Sequence, residues 1–188
     1  LFFCISGYVV SKAYMERLDS YRQRNLYWLG VQGFFIRRAY RVFPSAWLWV
    51  LMGLLFSIIF NSTGVFASWS DNLRSLAVIL TFSGNYANQY GLLLHPNHVY
   101  WSLALEEQFY FIFPVFLFFC RSARTRIALL ICFVGLQFVM NRNPFGSPAQ
   151  AMASSFRLDA IMWGVLIYLF SRTDIYRHFE PSFLRKWW

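Results

Sequence analysis

Trp101-Ser102-Leu103-Ala104-Leu105-Glu106-Glu107-Gln108-Phe109-Tyr110 decides how this chain is read, because two adjacent carboxylates and an amide interrupt an apolar run that otherwise suits a membrane helix. An ionisable side chain at the centre of a membrane helix costs about 2.5–3.5 kcal/mol on insertion scales, so its presence there implies a partner or a task. Residues 99–120 are read as a span, and the rest of the chain is searched for groups that answer these charges.

Composition makes the bilayer the solvent. Of 188 residues, 58% are hydrophobic, 22% aromatic and 13% charged, which is more apolar surface than a soluble core of this length buries. The formal charge of +9 falls in blocks between apolar runs. That suits membrane topology better than a nucleic-acid face, and no nucleic-acid partner is expected. Cys4, Cys120 and Cys132 lie in apolar segments with no CxxC or Cys/His spacing, so neither a zinc site nor a disulfide framework is indicated.

The expected fold is all-α, a multipass transmembrane helical bundle in a plasma or bacterial inner membrane. The chain reads as a fragment lacking its first helix and its later helices. Residues 1–15 read as the end of a truncated span, and 16–41 as a cytoplasmic or interfacial segment. Residues 42–60 form the clearest span, with Trp47 and Trp49 near one end as interface anchors. Residues 127–140 make a short span if Arg126 and Arg142 snorkel outward, and 151–170 make another. Residues 171–188 are placed in the cytoplasm.

Residues 75–94 are uncharged but polar at their centre, from Ser83 to Gln89, and read as re-entrant or as a span. Of the 17 basic residues, seven lie at 12–41, three at 121–126 and four at 172–186. A re-entrant 75–94 puts all three blocks in the cytoplasm, as the positive-inside tendency favours. The carboxylates then meet Arg157 and Asp159 in the outer half, while Arg37, Arg38 and Arg41 mark a second polar pole at the cytoplasmic mouth of the 42–60 span.

Each constellation has a plain and a sharp reading. Arg37 and Arg41 share a helical face with Arg38 adjacent, either as topology determinants against anionic lipid or as a clamp for phosphate. Glu106 shares a face with Ser102, and Glu107 with Phe111, while Gln108 points elsewhere. One carboxylate serves as base or substrate hydrogen-bond acceptor and the other as a partner for Arg157, unless both are structural. Arg157 and Asp159 point to different sides of their helix, near Gly164, which permits close helix approach. His98 sits in a loop before the Trp101 helix, and Ser6 and Gly7 allow tight packing near the start. Asn61-Ser62-Thr63 matches a glycosylation sequon.

Phe2-Phe3-Cys4-Ile5-Ser6-Gly7-Tyr8, Arg37-Arg38-Ala39-Tyr40-Arg41-Val42-Phe43-Pro44-Ser45-Ala46-Trp47, the Trp101 to Tyr110 block and the Arg157 to Gly164 block together resemble the acyltransferase 3 family of multipass membrane acyltransferases. The resemblance implies transfer of an acetyl or similar acyl group from acyl-coenzyme A to a hydroxyl of a cell-surface or exported glycan, or of a lipid-linked acceptor. Acyl-coenzyme A is then a co-substrate, no cofactor is held, and the lipid bilayer is a partner.

Carried onto this chain, the motifs nominate Glu106, Glu107, Arg157 and Asp159 for catalysis. They nominate Arg37, Arg38, Arg41, Ser6, Tyr8, Trp101, Gln108, Tyr110 and His98 for substrate binding. The family's presumed base, a histidine in a first membrane helix, lies upstream of Leu1. Members often place a histidine two residues before the Trp; here His98 is three before Trp101. The rival readings are a transporter or flippase with an intramembrane Glu/Arg/Asp relay, and a noncatalytic membrane scaffold.

Overall fold

The computed structural model describes residues 1–90, 97–140, 142–143 and 146–179; within these, the side chains of residues 63, 88, 89, 98, 148, 149, 151, 177 and 179 are not described. Every described regular element is helical. α1 is Phe2–Gln23 and α2 Tyr27–Ile59, joined by a tight turn in which Asn25 takes φ 58°, a left-handed conformation that Asn tolerates. α3, Trp69–Leu80, is capped by Ser68, whose hydroxyl accepts from the Asp71 N–H. α4 is Gly84–Gln89 and α5 Tyr100–Phe119. α6 is Ala123–Val139 and α7 Pro148–Ser155, the latter opened by a Ser147/Gln150 capping box with Pro148 in the first turn. α8 is Asp159–Ser171 and α9 Asp174–Phe179.

α2 and α5 are long and apolar enough to cross a membrane, and α8 is a shorter apolar helix. α2 has 33 residues, about 50 Å at 1.5 Å per residue, and continues through Pro44. Leu48, Trp49, Leu51, Leu55, Ile58 and Ile59 stand exposed along it, an apolar belt that water would penalise. Residues 16–23 finish α1, and 27–41 run unbroken into the apolar part of α2.

α5 runs antiparallel to α2. The Tyr27 hydroxyl donates to the Pro114 carbonyl, Phe34 meets Tyr110 edge-on, and the Tyr100 hydroxyl donates to the Ala46 carbonyl. Ala46 is thus level with the start of α5, and the last third of α2 extends beyond it. α3 returns along that extension: Phe66 packs on Phe56 near its start, and Phe82, just past its end, stacks on Phe43. Asn97, before α5, donates back to Asn72 in the first turn of α3. The described part of residues 69–97 therefore dips to the level of Phe43 and returns to the end it came from.

α1 and α8 cross where glycine permits. A Cβ on Gly164 would collide with the Cys4 carbonyl and lie 2.6 Å from the Tyr8 nitrogen, and one on Gly7 would collide with the Ile161 carbonyl. The two helices run parallel, and a Tyr168 hydrogen bond and an Arg172 ion pair to Glu16 join their far ends.

That end carries a buried clamp which corrects the snorkelling expectation. Arg126 is 4% exposed and grips Asp19 through two bonds of 2.7 Å, while its Nε donates to the Cys120 carbonyl. Arg22 binds the same Asp19 and the Leu117 carbonyl. The clamp ties α1 to the α5–α6 corner and brings basic residues from all three sequence blocks (Arg22, Arg126 and Arg172) to one end of the bundle. Arg142 likewise stays inside, bonded to Gln137 and Asp159.

Candidate functional site

The antiparallel register of α2 and α5 sets Arg38 level with the two glutamates. Arg38 is 9% exposed and lies over the Tyr110 ring, its guanidinium carbon 4.3 Å from the centroid, close enough for a cation–π attraction. The Tyr110 hydroxyl donates to Glu106 Oε2 at 3.1 Å and lies 3.3 Å from Ser6 Oγ on α1. Arg38 is also within electrostatic reach of Glu107, which is 5% exposed. Pro114, one turn after Tyr110 and without an N–H, leaves the Tyr110 carbonyl free of its usual helical partner.

The cluster is incompletely satisfied. Arg38 Nε, Glu106 Oε1 and Glu107 Oε1 are buried without a hydrogen-bond partner among the described residues. Buried polar groups are normally paired, and an unmade bond to a charged group costs at least about 1–3 kcal/mol. A cluster left open in this way is arranged to receive a ligand or another polar group. Of the two poles read from the sequence, only Arg38 and the glutamates meet: Arg38 faces inward within reach of Glu107, while Arg37 and Arg41 are exposed, Arg37 lying 5.7 Å from the Tyr14 ring centroid.

Beside the cluster a cavity of about 580 Å³ opens between α2 and α5, with Glu106 in its wall together with Val42, Trp49, Met52, Phe56 and Ser102. Its size is that of small-molecule sites, about 300–1,000 Å³. A second cavity, about 400 Å³ between α5, α6 and α8, has an almost wholly apolar wall.

A paired carboxylate–tyrosine–serine chain against a buried arginine, open to an apolar cavity, occurs in a chain whose residues 1–171 match the family model described as Acyltransferase domain. The chain belongs to the acyltransferase domain family. It is similar to the peptidoglycan O-acetyltransferase OatA of Listeria monocytogenes, 27% identical over 149 residues that make up 72% of this chain and 22% of that protein. It is also similar to the O-acetyltransferase OatA of Staphylococcus aureus, 28% identical over 178 residues that make up 88% of this chain and 28% of that protein. The chain thus spans about a quarter of the length of these curated relatives. No solved structure matches it.

Within this acyltransferase domain the other nominated residues disperse. Arg157 lies between α7 and α8, so residues 151–170 are not one helix; it is exposed, and its Nε donates to the Ser154 carbonyl at 3.1 Å. No bond joins it to either glutamate among the described residues. Asp159 begins α8 and pairs with Arg142 at 3.3 Å. Near the start of α8, Arg157 thus bonds back to the end of α7 and Asp159 reaches Arg142, 17 residues earlier, because the chain breaks there and turns Arg157 outward.

Gln108 holds the returning segment. Its Nε2 donates to the Phe82 carbonyl at 2.9 Å and to Asn85 Oδ1 at 3.0 Å, and Asn85 donates on to the Ser155 carbonyl. Phe82 has φ 51°, a conformation that costs an ordinary residue about 1–2 kcal/mol, so Gln108 secures a strained turn. Tyr8 packs edge-on against Tyr168, and Trp101 against Phe3. The His98 side chain lies outside the described residues. Sequence reasoning missed Asp19 and Tyr100, although Asp19 and Glu16 stand as acids within a basic block, and it marked Asn85 only as part of the polar stretch from Ser83 to Gln89.

Proposed function

We propose that this domain transfers an acetyl or similar acyl group from acyl-coenzyme A to a hydroxyl of a cell-surface or exported glycan or related acceptor, within a multipass domain of a plasma or bacterial inner membrane. The observation that carries the reading is the buried Arg38–Tyr110–Glu106 cluster with unfilled hydrogen-bonding capacity at the edge of a ligand-sized cavity. The activities named for the Listeria and Staphylococcus relatives support the acetyl group, and the peptidoglycan in the Listeria relative's name supports a glycan acceptor.

In the reaction the acceptor oxygen bonds to the acyl carbon, the carbon–sulfur bond breaks, and the acceptor's proton ends on the coenzyme A thiol. Charge develops on the acyl oxygen on the way. Arg38, buried and with a free Nε–H, is suited to stabilise that charge in a site poor in water. Glu106, already fixed by Tyr110, accepts the acceptor's hydroxyl and orients it. Arg37 and Arg41, exposed on one face of α2, fit the donor's phosphates; Arg38 does not, because its guanidinium is covered.

The test is a radiolabelled acyl-coenzyme A transfer assay on membranes carrying the full-length protein. Glu106→Gln is expected to abolish transfer while leaving membrane insertion intact, and retained transfer removes Glu106 from the mechanism. A transporter or scaffold yields no covalent product in the unsubstituted protein.

A further inference from the structure

The α2 side of the α2–α5 cavity is one helical stripe. Val42, Ser45, Trp49, Met52 and Phe56 recur at three- and four-residue spacing on α2, giving about 21 Å of wall at 1.5 Å per residue. One turn before Val42 the stripe reaches Arg38, so the cavity ends at the arginine–tyrosine–carboxylate cluster. The long wall is apolar and the polar groups gather near that end and along the start of α5.

The polar groups nearest Glu106 present acceptors, and Asn97, farther along the wall, has its amide donating to Asn72. The hydroxyls of Ser45, Ser102 and Tyr100 donate to the carbonyls of Val42, Val99 and Ala46 at 3.0, 2.9 and 2.8 Å. Glu106 takes Tyr110 on one oxygen and has no partner on the other among the described residues. An anion entering here meets a carboxylate and hydroxyls already committed as donors, while Arg38 lies over the Tyr110 ring and within electrostatic reach of Glu107. A neutral donor meets an acceptor with capacity to spare, and its apolar remainder meets Trp49, Met52 and Phe56.

We infer that this cavity binds an uncharged hydroxyl carried on a hydrocarbon stem, the hydroxyl donating to Glu106 and the stem lying along the α2 stripe. That this ligand is the acyl acceptor rests on the transfer reading above; its chemical class rests on the cavity alone. The acceptor then arrives on a membrane-embedded stem and lies within the apolar layer when it reacts.

The experiment uses the full-length protein in lipid nanodiscs with 10-bromodecan-1-ol, 10-bromodecanoate and 1-bromodecane, whose bromine quenches tryptophan on contact. The alcohol is expected to give saturable quenching at least tenfold tighter than the carboxylate or the bromoalkane. Trp49→Phe removes that component, Gly53→Leu, which fills the wall, weakens it, and Glu106→Gln lifts the exclusion of the carboxylate. Equal affinity for alcohol and carboxylate, or saturable quenching untouched by Trp49→Phe, overturns the inference.

Displacement by decyl glucoside assigns the stem to a sugar-bearing lipid, and displacement by decanol alone to a simple lipid alcohol; displacement by neither overturns the proposal. Quenching reads binding without turnover. Acyl transfer to a water-soluble glycan with no alcohol binding therefore rejects the cavity and keeps the enzyme, whereas selective alcohol binding without any transfer rejects the enzyme and keeps the cavity.

Discussion

Asp19→Asn is the substitution that tests the architecture most directly. Arg126 is 4% exposed, and its guanidinium is held by two 2.7 Å bonds to Asp19 and one to the Cys120 carbonyl. Neutralising Asp19 leaves a buried cation without its counter-charge, which costs about 3–5 kcal/mol. Loss of the more exposed Arg22 pair adds at most about 1 kcal/mol. At roughly 2–4 °C per kcal/mol for a domain of 150–250 residues, the main term is a fall in melting temperature of about 6–20 °C.

The assay is thermal unfolding of the full-length protein in one detergent, with Asp19→Asn measured beside a double-mutant cycle of Asp19→Leu and Arg126→Met. The double variant Asp19→Leu/Arg126→Met is expected to recover most of the loss, because replacing a buried pair by apolar side chains is often neutral or better. A shift below about 2 °C for Asp19→Asn, less than 1 kcal/mol on the same scale, would refute the clamp. So would a double variant no more stable than the worse single.

Other substitutions probe the helix crossing, the strained turn and the site. Gly164→Val drives a side chain into the Cys4 carbonyl and the Tyr8 backbone, and overpacking of that kind costs about 1–3 kcal/mol or more. Gly135→Ala has open space around its Cβ and is expected to gain about 0.5–1 kcal/mol from helix propensity; equal melting shifts for the two glycines would discredit the crossing. Gln108→Leu strands the Phe82 carbonyl and Asn85, costing about 1–3 kcal/mol, and should raise the rate of proteolytic nicking near residues 81–83; unchanged nicking would free Gln108 from its structural task. Arg38→Met is expected to lower kcat with little change in donor KM, and Arg41→Ala to raise donor KM at similar kcat; the opposite split would return Arg38 to phosphate binding.

The apolar runs made a helical membrane fold readable without any structure, since runs as long as residues 42–60 or 99–120 with so few charges suit few other environments. The capped start of α7 was also there to be read in Ser147, Pro148 and Gln150. Helix joins were harder. Nothing local separates residues 27–41 from the apolar half of α2, because arginine is a good helix former and no glycine or proline breaks residues 34–43. The break at residues 156–158 was invisible for the converse reason: hydropathy is indifferent to backbone direction, and Arg157 is turned outward only by the junction of α7 and α8.

From the sequence alone came the environment, the helical class and the residues that bear chemistry: Glu106, Glu107 and the arginines of α2, set apart because charge in an apolar run is costly enough to need a cause. Which charge meets which was decided by tertiary structure. The register of α2 against α5, fixed by contacts such as Tyr100 to Ala46 and Tyr27 to Pro114, brought Arg38 to the glutamates and left Arg157 and Asp159 with other partners. Ion pairing depends on distances of a few ångströms between residues far apart in the chain, and no spacing within one helix encodes where a second helix will lie.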